Sequence, residues 1–235
     1  MTFRDENIKK LVVFLKILII FILIIHILFV IYIGISSLIL IKYNPKLTSL
    51  MIYRSLFYKY KIKPIKFISL SNVPKILQRM IIYIEDGNFY KHCGIDFEAL
   101  KEAYKTNKKF NKIISGASTI TMQLARTLFL VPDRNYLRKY FEFIAALEID
   151  LILPKKRILE LYLNYVEFGK GVFGIQTASY FYYKKSVTEL SHYQLAQLVT
   201  ILASPIKYNV NTAMRSRKLR QRFYFLNQKF QIITD

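Results

Sequence analysis

The feature that most constrains this chain is an uninterrupted apolar segment near its N-terminus. Residues 17–41, ILIIFILIIHILFVIYIGISSLILI, contain no Asp, Glu, Lys or Arg. A helix rises about 1.5 Å per residue, so a segment of this length can cross the ~30 Å hydrocarbon core of a bilayer. A cleavable signal peptide has a shorter apolar region of about 7–15 residues. The segment therefore predicts a retained transmembrane anchor, preceded by a short N-terminus over residues 1–16.

The charges beside this segment do not orient it. Basic residues occur on both sides, namely Arg4, Lys9, Lys10 and Lys16 before it and Lys42, Lys46 and Arg54 after it. Because orientation follows the side that carries the excess of Lys and Arg, a nearly even distribution leaves the topology open.

The overall charge of the chain favours an anionic partner but does not identify which kind. The formal net charge is +21, from 36 Lys and Arg against 15 Asp and Glu. A positive field of this size favours nucleic acid, an anionic membrane surface or a phosphorylated substrate. A general bias toward Ile, Lys, Tyr and Asn explains the same excess. The single cysteine, Cys93, excludes an intramolecular disulfide and a zinc site built from several cysteines.

The remainder of the chain predicts a mainly α-helical fold. Residues 42–71 form a basic connector, either a plain linker or an interfacial segment. From residue 72 the apolar residues recur at helical spacing, with Asn72 as the predicted cap of a helix that ends at Glu85. Pro154 is expected to start a helix rather than continue one. Further helices are predicted at 96–106, 118–130, 135–153, 155–165, 174–183 and 191–203.

Two short patterns add local detail to this prediction. Ser186 with Glu189 and Ser191 with Gln194 each fit the capping box that opens a helix. No segment alternates apolar and polar residues as a half-buried strand does.

The candidate chemistry begins with Glu85 and Asp86 at the end of the predicted helix. Acidic residues at a helix C-terminus oppose the helix dipole, so a structural reason for them is weak. Taken alone, a solvated loop carboxylate remains the simpler interpretation. The segment that follows, GASTITMQLARTLFL, groups polar donors within three turns, with Ser118 as a predicted N-cap. Such a surface suits a sugar phosphate.

A third polar pair lies on the helix predicted at 135–153. Arg138 and Glu142 are four residues apart, so they share one helix face and are predicted to pair. An ordinary surface ion pair, which contributes little to stability, is the alternative interpretation.

Five segments of the chain together resemble a known family. They are EDGNFYKHCGIDFEAL, GASTITMQLARTLFL, RKYFEFIAALEI, KKRILELYLNYVEFGKGVFGIQTAS and LSHYQLAQLVTILASP, in this order. They look like the successive motifs of the peptidoglycan glycosyltransferases, the lysozyme-like glycosyltransferase family 51, and cover residues 72–207. Without a transpeptidase-like region, the chain resembles the monofunctional members. The resemblance implies a lysozyme-like α-helical domain over residues 72–235.

The resemblance also implies roles for individual residues. Glu85 would be the base that deprotonates the 4-hydroxyl of lipid II, whose oxygen attacks C1 of the growing lipid-linked strand with inversion and release of undecaprenyl pyrophosphate. Glu142 corresponds to the second catalytic glutamate. The substrate-binding positions would be Asp86, Phe89, His92, Ser118, Thr119, Gln123, Arg126, Arg138 and Lys139.

Cofactors and partners follow from the same resemblance. No cofactor is required, no metal ligand is identified, and a divalent cation (Mg or Mn) at the pyrophosphate is an option. The expected partners are lipid II, the growing glycan strand, membrane lipids and other cell-wall synthesis proteins; nucleic acid is not expected. Lipid II is polymerised outside the cytoplasmic membrane, so the expected protein crosses the inner membrane once, with its catalytic domain on the outer face.

Three positions depart from the family pattern, and two other functions compete. Gln194 replaces a usual glutamate, and as the third residue of a capping box it serves equally well. Met122 replaces a usual glutamine and Arg126 a usual lysine, which keeps the charge but changes its geometry. A lysozyme-like murein hydrolase could use the same Glu85, although it has no need for the donors around Arg126. A non-catalytic membrane protein that binds nucleic acid or anionic lipid is the remaining alternative.

Overall fold

The computed structural model describes residues 3–112, 116–133 and 135–232, and this part of the chain is mainly helical, as predicted. Residues 1–2 of the predicted range 1–16, and residues 113–115, 134 and 233–235 of the predicted range 72–235, lie outside the described residues. One short antiparallel hairpin pairs strand β1 (Glu167–Gly169) with strand β2 (Val172–Phe173). The helices are α1 (Phe3–Leu40), α2 (Ser49–Tyr58), α3 (Lys75–Glu85), α4 (Phe97–Lys109), α5 (Ile120–Phe129), α6 (Tyr136–Ile152), α7 (Lys155–Tyr165), α8 (Ile175–Tyr183), α9 (His192–Ile201) and α10 (Arg217–Phe230).

Helix α1 contains the predicted membrane anchor. Its segment Lys10–Leu40 is, within the described ranges, the one helix long and apolar enough to cross a bilayer. The C-terminal half of α1 packs on α6 through one face, where Ile33 and Ser37 are buried and the Phe29 ring lies 4.6 Å from the Phe141 ring. The opposite face, including Ile35, is exposed. The anchor is therefore docked on the helical domain rather than tethered to it.

The centre of the domain is α7, in which every residue from Leu161 to Tyr165 is buried. A helix that is buried on all sides needs neighbours on all sides, and α5, α6 and α8 supply them. Helix α5 contributes Ile120, Met122 and Leu124 to the same core. Because Met122 is fully buried, its side chain faces the core and not a solvent-lined surface.

The connector predicted as a linker or an interfacial segment contains α2 and an extended run that lies along the domain. The Ile68 amide donates to Asn164 Oδ1 at 2.8 Å, and the Leu70 amide donates to Glu160 Oε1 at 2.8 Å. Two side chains of α7 thus hold the extended run in place. The run also approaches the hairpin, where a Cβ on Gly171 would lie 2.4 Å from the Lys61 carbonyl oxygen.

Most local predictions are confirmed. The six predicted helices from 96 to 203 all form, with ends that differ by less than a turn. Both capping boxes, at Ser186 and Ser191, have their two hydrogen bonds. Pro154 is the N-cap of α7, and α3 ends at Glu85 as expected.

Two predicted caps are wrong. Asn72 lies in a 3₁₀ turn, and α3 begins only at Lys75, after Pro74. A residue before proline is restricted to extended backbone, so Val73 cannot belong to the helix and the start moves past it. Helix α5 is capped by Thr119 and not by Ser118, since the Thr119 hydroxyl accepts from the Met122 amide at 3.1 Å. Helix α10 and the hairpin were not predicted.

Candidate active site

The Glu85 carboxylate lies where α3, α5 and α10 meet. Its Oε2 accepts a hydrogen bond from Gln123 Nε2 at 2.9 Å, and its Oε1 pairs with the Arg222 guanidinium. The Arg222 guanidinium also donates to the Val199 carbonyl oxygen, through Nη2 at 3.3 Å. The Glu85 side chain keeps 12% of its surface exposed. Glu85 is therefore oriented by two donors and remains open to solvent.

Gln123 is itself held in one orientation. The Tyr162 hydroxyl donates to Gln123 Oε1 at 3.2 Å, which directs the amide nitrogen toward Glu85. Burial, and then the nearby Glu85 charge, raise the pKa of Tyr162 well above its usual value. The phenol consequently stays protonated and acts as the donor, because only its neutral form carries the hydrogen.

Asp86 and His92 fix the loop that follows Glu85. Asp86 Oδ2 accepts from the Ile120 amide at 2.9 Å, at the N-terminus of α5, where a negative charge is favourable. Asp86 Oδ1 and His92 Nε2 are 2.9 Å apart. The Thr119 hydroxyl donates to the Gly94 carbonyl oxygen on the same loop. Asp86, His92 and Thr119 thus have partners within the protein, and Phe89 is fully buried beside them.

A cleft of about 530 Å³ opens next to Gln123. Gln123, Arg126 and Arg138 line it. Within the described part of the chain, the Arg126 guanidinium has no hydrogen bond or ion pair. Its positive charge therefore lines the cleft without a directly bonded partner among those residues, within electrostatic reach of Glu167. Arg138, by contrast, bonds to Asp133 and Glu142. The other lining residues include Leu50, Arg54, Thr127, Pro132, Val166, Glu167 and the segment from Leu202 to Lys207.

Glu142 is enclosed behind this cleft, with 0% of its side chain exposed. Its Oε2 pairs with Arg138, which confirms the predicted i,i+4 contact, and its Oε1 lies 2.6 Å from Lys139 Nζ. Burial lowers the pKa of Lys139 although Glu142 opposes that effect, and the charges of Arg126 and Arg138 lower it further. Glu142 therefore does not contact the cleft directly; of its two cationic partners, Arg138 lines the cleft.

A continuous series of contacts joins the two glutamates. Gln123 Nε2 contacts both Glu85 and the Ser118 carbonyl oxygen, the latter at 3.4 Å. The Ser118 hydroxyl in turn accepts from Lys139 Nζ at 3.1 Å, and Lys139 pairs with Glu142. The fold therefore brings together Glu85, Ser118, Gln123, Lys139 and Glu142, which are far apart in sequence.

Three polar residues of this region were not predicted as part of a site, namely Arg54, Glu167 and Arg222. Arg54 on α2 donates two hydrogen bonds to the Glu167 carboxylate, from Nε to Oε1 at 3.0 Å and from Nη2 to Oε2 at 2.9 Å. Both residues line the cleft. Burial raises the pKa of Glu167, against the opposing effect of Arg54. Arg222 is the third, and its partner is Glu85. Neither contact has a sequence signal, because the partners are 113 and 137 positions apart.

The acidic groups near the cleft do not make a suitable metal site. Both Glu142 oxygens are already occupied by Arg138 and Lys139, and a cationic surround disfavours a second cation. Across residues 3–112, 116–133 and 135–232, no three His, Cys, Asp or Glu side chains converge as a ligand set. No step is therefore assigned to a bound metal ion.

Known proteins are similar to this chain in sequence. The Transglycosylase family profile matches residues 56–229. A biosynthetic peptidoglycan transglycosylase of Haemophilus influenzae strain PittEE is 43% identical over 175 residues, which is 74% of this chain and 72% of that protein. The same-named protein of Haemophilus influenzae strain Rd is 45% identical over 154 residues (66% and 62%), and that of Janthinobacterium sp. strain Marseille is 41% identical over 174 residues (72% and 75%). The chain belongs to the Transglycosylase family.

Proposed function

We propose that this chain polymerises lipid II into glycan strands for cell-wall biogenesis, with Glu85 as the base. As a member of its family the chain is a peptidoglycan glycosyltransferase. The observation that carries the more specific proposal is that Gln123 joins Glu85 to a cleft whose wall presents the unpaired Arg126. A base for the acceptor is thus joined, through Gln123, to a cleft that carries a cation for the leaving group.

Glu85 is placed to activate the acceptor sugar. Each carboxylate oxygen has two lone-pair sites, and each is engaged once, by Gln123 and by Arg222. A site on the carboxylate therefore remains for the 4-hydroxyl of lipid II. As Glu85 takes the proton, the hydroxyl oxygen bonds to C1 of the growing strand, and the bond from C1 to the pyrophosphate breaks on the opposite face. Inversion follows from this geometry.

The cationic wall of the cleft stabilises the leaving pyrophosphate. Arg126 is available for direct contact because it has no partner among the described residues, and Arg138 lines the same cleft. Charged donors that are already in place need no reorganisation when negative charge develops, which makes them effective. Glu142 fixes Arg138 and Lys139 from behind, and we assign it a positioning role.

The location of the substrate is consistent with the anchor. One N-terminal apolar helix fits a single-pass membrane anchor, and α1 packs on α6, which carries Arg138. We propose that the cleft faces the outer side of the inner membrane, where lipid II is presented. Protease treatment of spheroplasts tests the orientation: the domain should be digested without lysis, and protection until lysis would contradict it.

Polymerisation and hydrolysis are separated by one experiment. The full-length chain in detergent is incubated with fluorescent lipid II, and in parallel with purified sacculi. The proposal expects a lysozyme-sensitive polymer from lipid II and no release of fragments from sacculi. Release of fragments without polymer would favour the murein hydrolase and overturn the proposal. An Arg126→Gln variant adds a second comparison. It should weaken polymerisation, whereas a hydrolase should be unaffected because it has no pyrophosphate to stabilise.

A further inference from the structure

A second cavity lies on the membrane side of the cleft. It is a groove of about 240 Å³ between the C-terminal end of α1, the loop that follows it and the end of α5. Its walls are mostly apolar, with Tyr32, Ile39 and Leu40 from α1, Leu47 from the loop, and Leu128 and Phe129 from α5. Sites that enclose a whole small ligand usually measure about 300–1,000 Å³. The groove therefore suits a short stretch of an apolar chain.

The groove is adjacent to the cationic cleft. Consecutive residues of α5 line the two cavities: Arg126 and Thr127 face the cleft, and Leu128 and Phe129 face the groove. Helix α2 and the loop before it repeat this division, since Leu50 lines the cleft and Leu47 the groove. A molecule with an anionic head on Arg126 and an apolar tail would thus find a wall for each part.

The other wall of the groove belongs to the membrane anchor. Tyr32 and Ile39 lie in the apolar segment of α1 and are 52% and 54% exposed. The groove is therefore open along the face that meets the hydrocarbon region of the bilayer. The Tyr32 ring contacts the Phe129 ring edge to face, with centroids 5.9 Å apart. The anchor helix α1 and helix α5, which carries Gln123 and Arg126, therefore meet at the groove.

We propose that this groove binds the first isoprene units of the donor's polyprenyl chain, while the pyrophosphate occupies the cleft. This inference rests on the proposed function, because it takes the lipid-linked strand as the donor. A linear isoprenoid leaving the pyrophosphate must pass from Arg126 into the membrane, and the groove is the apolar surface beside that route. The anchor helix would then contribute to substrate binding as well as to localisation.

The test combines photolabelling with a variant that fills the groove. Ser36 lines the groove, so Ser36→Phe should occupy part of it, whereas Ile35→Phe places the same aromatic side chain on the exposed opposite side. The full-length protein in lipid vesicles is labelled with undecaprenyl pyrophosphate that carries a diazirine near the pyrophosphate. Labelling should map to the end of α1 and to Leu128 or Phe129. Unlabelled undecaprenyl pyrophosphate should compete, and Ser36→Phe should abolish the labelling.

The kinetic part uses lipid II with its natural chain. Ser36→Phe should lower kcat/KM by roughly tenfold, the effect of losing about two buried methylene groups, whereas Ile35→Phe should match the parent. Labelling elsewhere, equal losses in both variants, or labelling by a diazirine phospholipid that polyprenyl pyrophosphate does not displace would each overturn the proposal. The parent could make no polymer and still be labelled in the groove in a way that unlabelled undecaprenyl pyrophosphate prevents. The proposed function would then be wrong, and the assignment of the groove to a polyprenyl chain would stand.

Discussion

Arg222, near the C-terminus, pairs with Glu85, the residue proposed as the catalytic base. The contact joins α10 to the end of α3 across 137 positions of sequence, and the Val199 carbonyl oxygen of α9 holds the same guanidinium. A charged donor on one carboxylate oxygen restricts the rotation of the carboxylate and keeps the other oxygen directed toward Gln123. The C-terminal helix therefore takes part in forming the candidate active site.

Replacing Arg222 should reduce catalysis more than substrate binding. A hydrogen bond to a charged group contributes about 1.5–3 kcal/mol, so Arg222→Gln should lower kcat by about ten- to a hundredfold. KM should change little, because Arg222 orients Glu85 and does not line the cleft. Arg220→Gln removes an exposed arginine from the same helix and is the matched control. A rise in KM at constant kcat would contradict the positioning role.

Tyr162 should act on Glu85 through Gln123. Tyr162→Phe removes one buried hydrogen bond, of about 1 kcal/mol, and frees the Gln123 amide to rotate, so kcat should fall about fivefold. Tyr165→Phe is a close control, since Tyr165 is also buried on α7 but donates to the Pro45 carbonyl oxygen. Steady-state polymerisation rates of the two variants decide the matter. Equal rates would show that the Tyr162 hydroxyl does not act through Gln123.

Glu142 should matter for stability as well as for activity. Glu142→Gln leaves Arg138 and Lys139 without their counter-charge, and breaking a buried pair in this way costs about 3 kcal/mol or more. A lower Tm is therefore expected by differential scanning fluorimetry, together with weaker polymerisation. Glu102→Gln, an exposed position on α4, is the control. If Glu142→Gln lost activity at an unchanged Tm, a direct catalytic role would replace the positioning role.

Glu148 should make the anchor contact sensitive to pH. The carboxylate lies over Gly34 of α1, 3.5 Å from where a Cβ would be, and burial raises its pKa. Its buried Oε1 has no partner within the described residues. A raised carboxyl pKa means that stability is fully present below the unfolded pKa and is lost as pH rises through the folded pKa. Stability from this group should therefore decline as pH rises above 4.5, the ordinary pKa of a glutamate carboxyl.

The variant Glu148→Gln should remove this dependence. At neutral pH its Tm should exceed that of the parent, and at pH 4 the two should coincide, because the protonated carboxyl and the amide are both neutral. Thermal unfolding in detergent at a series of pH values measures the difference. A lower Tm for Glu148→Gln at neutral pH would mean that the charged carboxylate stabilises the contact with α1.

The sequence correctly predicts those features that depend on residues close together in the chain. The capping boxes at Ser186 and Ser191, the start of a helix at Pro154 and the pair of Arg138 with Glu142 involve residues within a few positions of each other, and the structure contains all of them. The wrong cap at Asn72 had a local cause as well. At Asn72 the restriction that Pro74 places on its predecessor outweighed capping propensity.

The sequence does not predict contacts that depend on the tertiary fold. Nothing near Arg222 or Arg54 indicates a partner more than a hundred positions away, and each could equally have been a solvated surface charge. The burial of Glu142 was missed for the same reason, because only the packing of α6 encloses it. The motifs identified the candidate base, and the fold supplied the groups that orient it.

The polymerisation rate of a Glu85→Gln variant on lipid II shows whether Glu85 is the base. The substitution keeps the shape and leaves Gln123 and Arg222 in place but cannot accept a proton, so loss of general base catalysis should lower the rate by about 100-fold or more. Lipid II binding should stay close to that of the parent, and Tm should fall less than in Glu142→Gln, because the Glu85 side chain keeps 12% of its surface exposed. A well-folded Glu85→Gln variant that polymerises lipid II at the parent rate would contradict the assignment of Glu85 as the base.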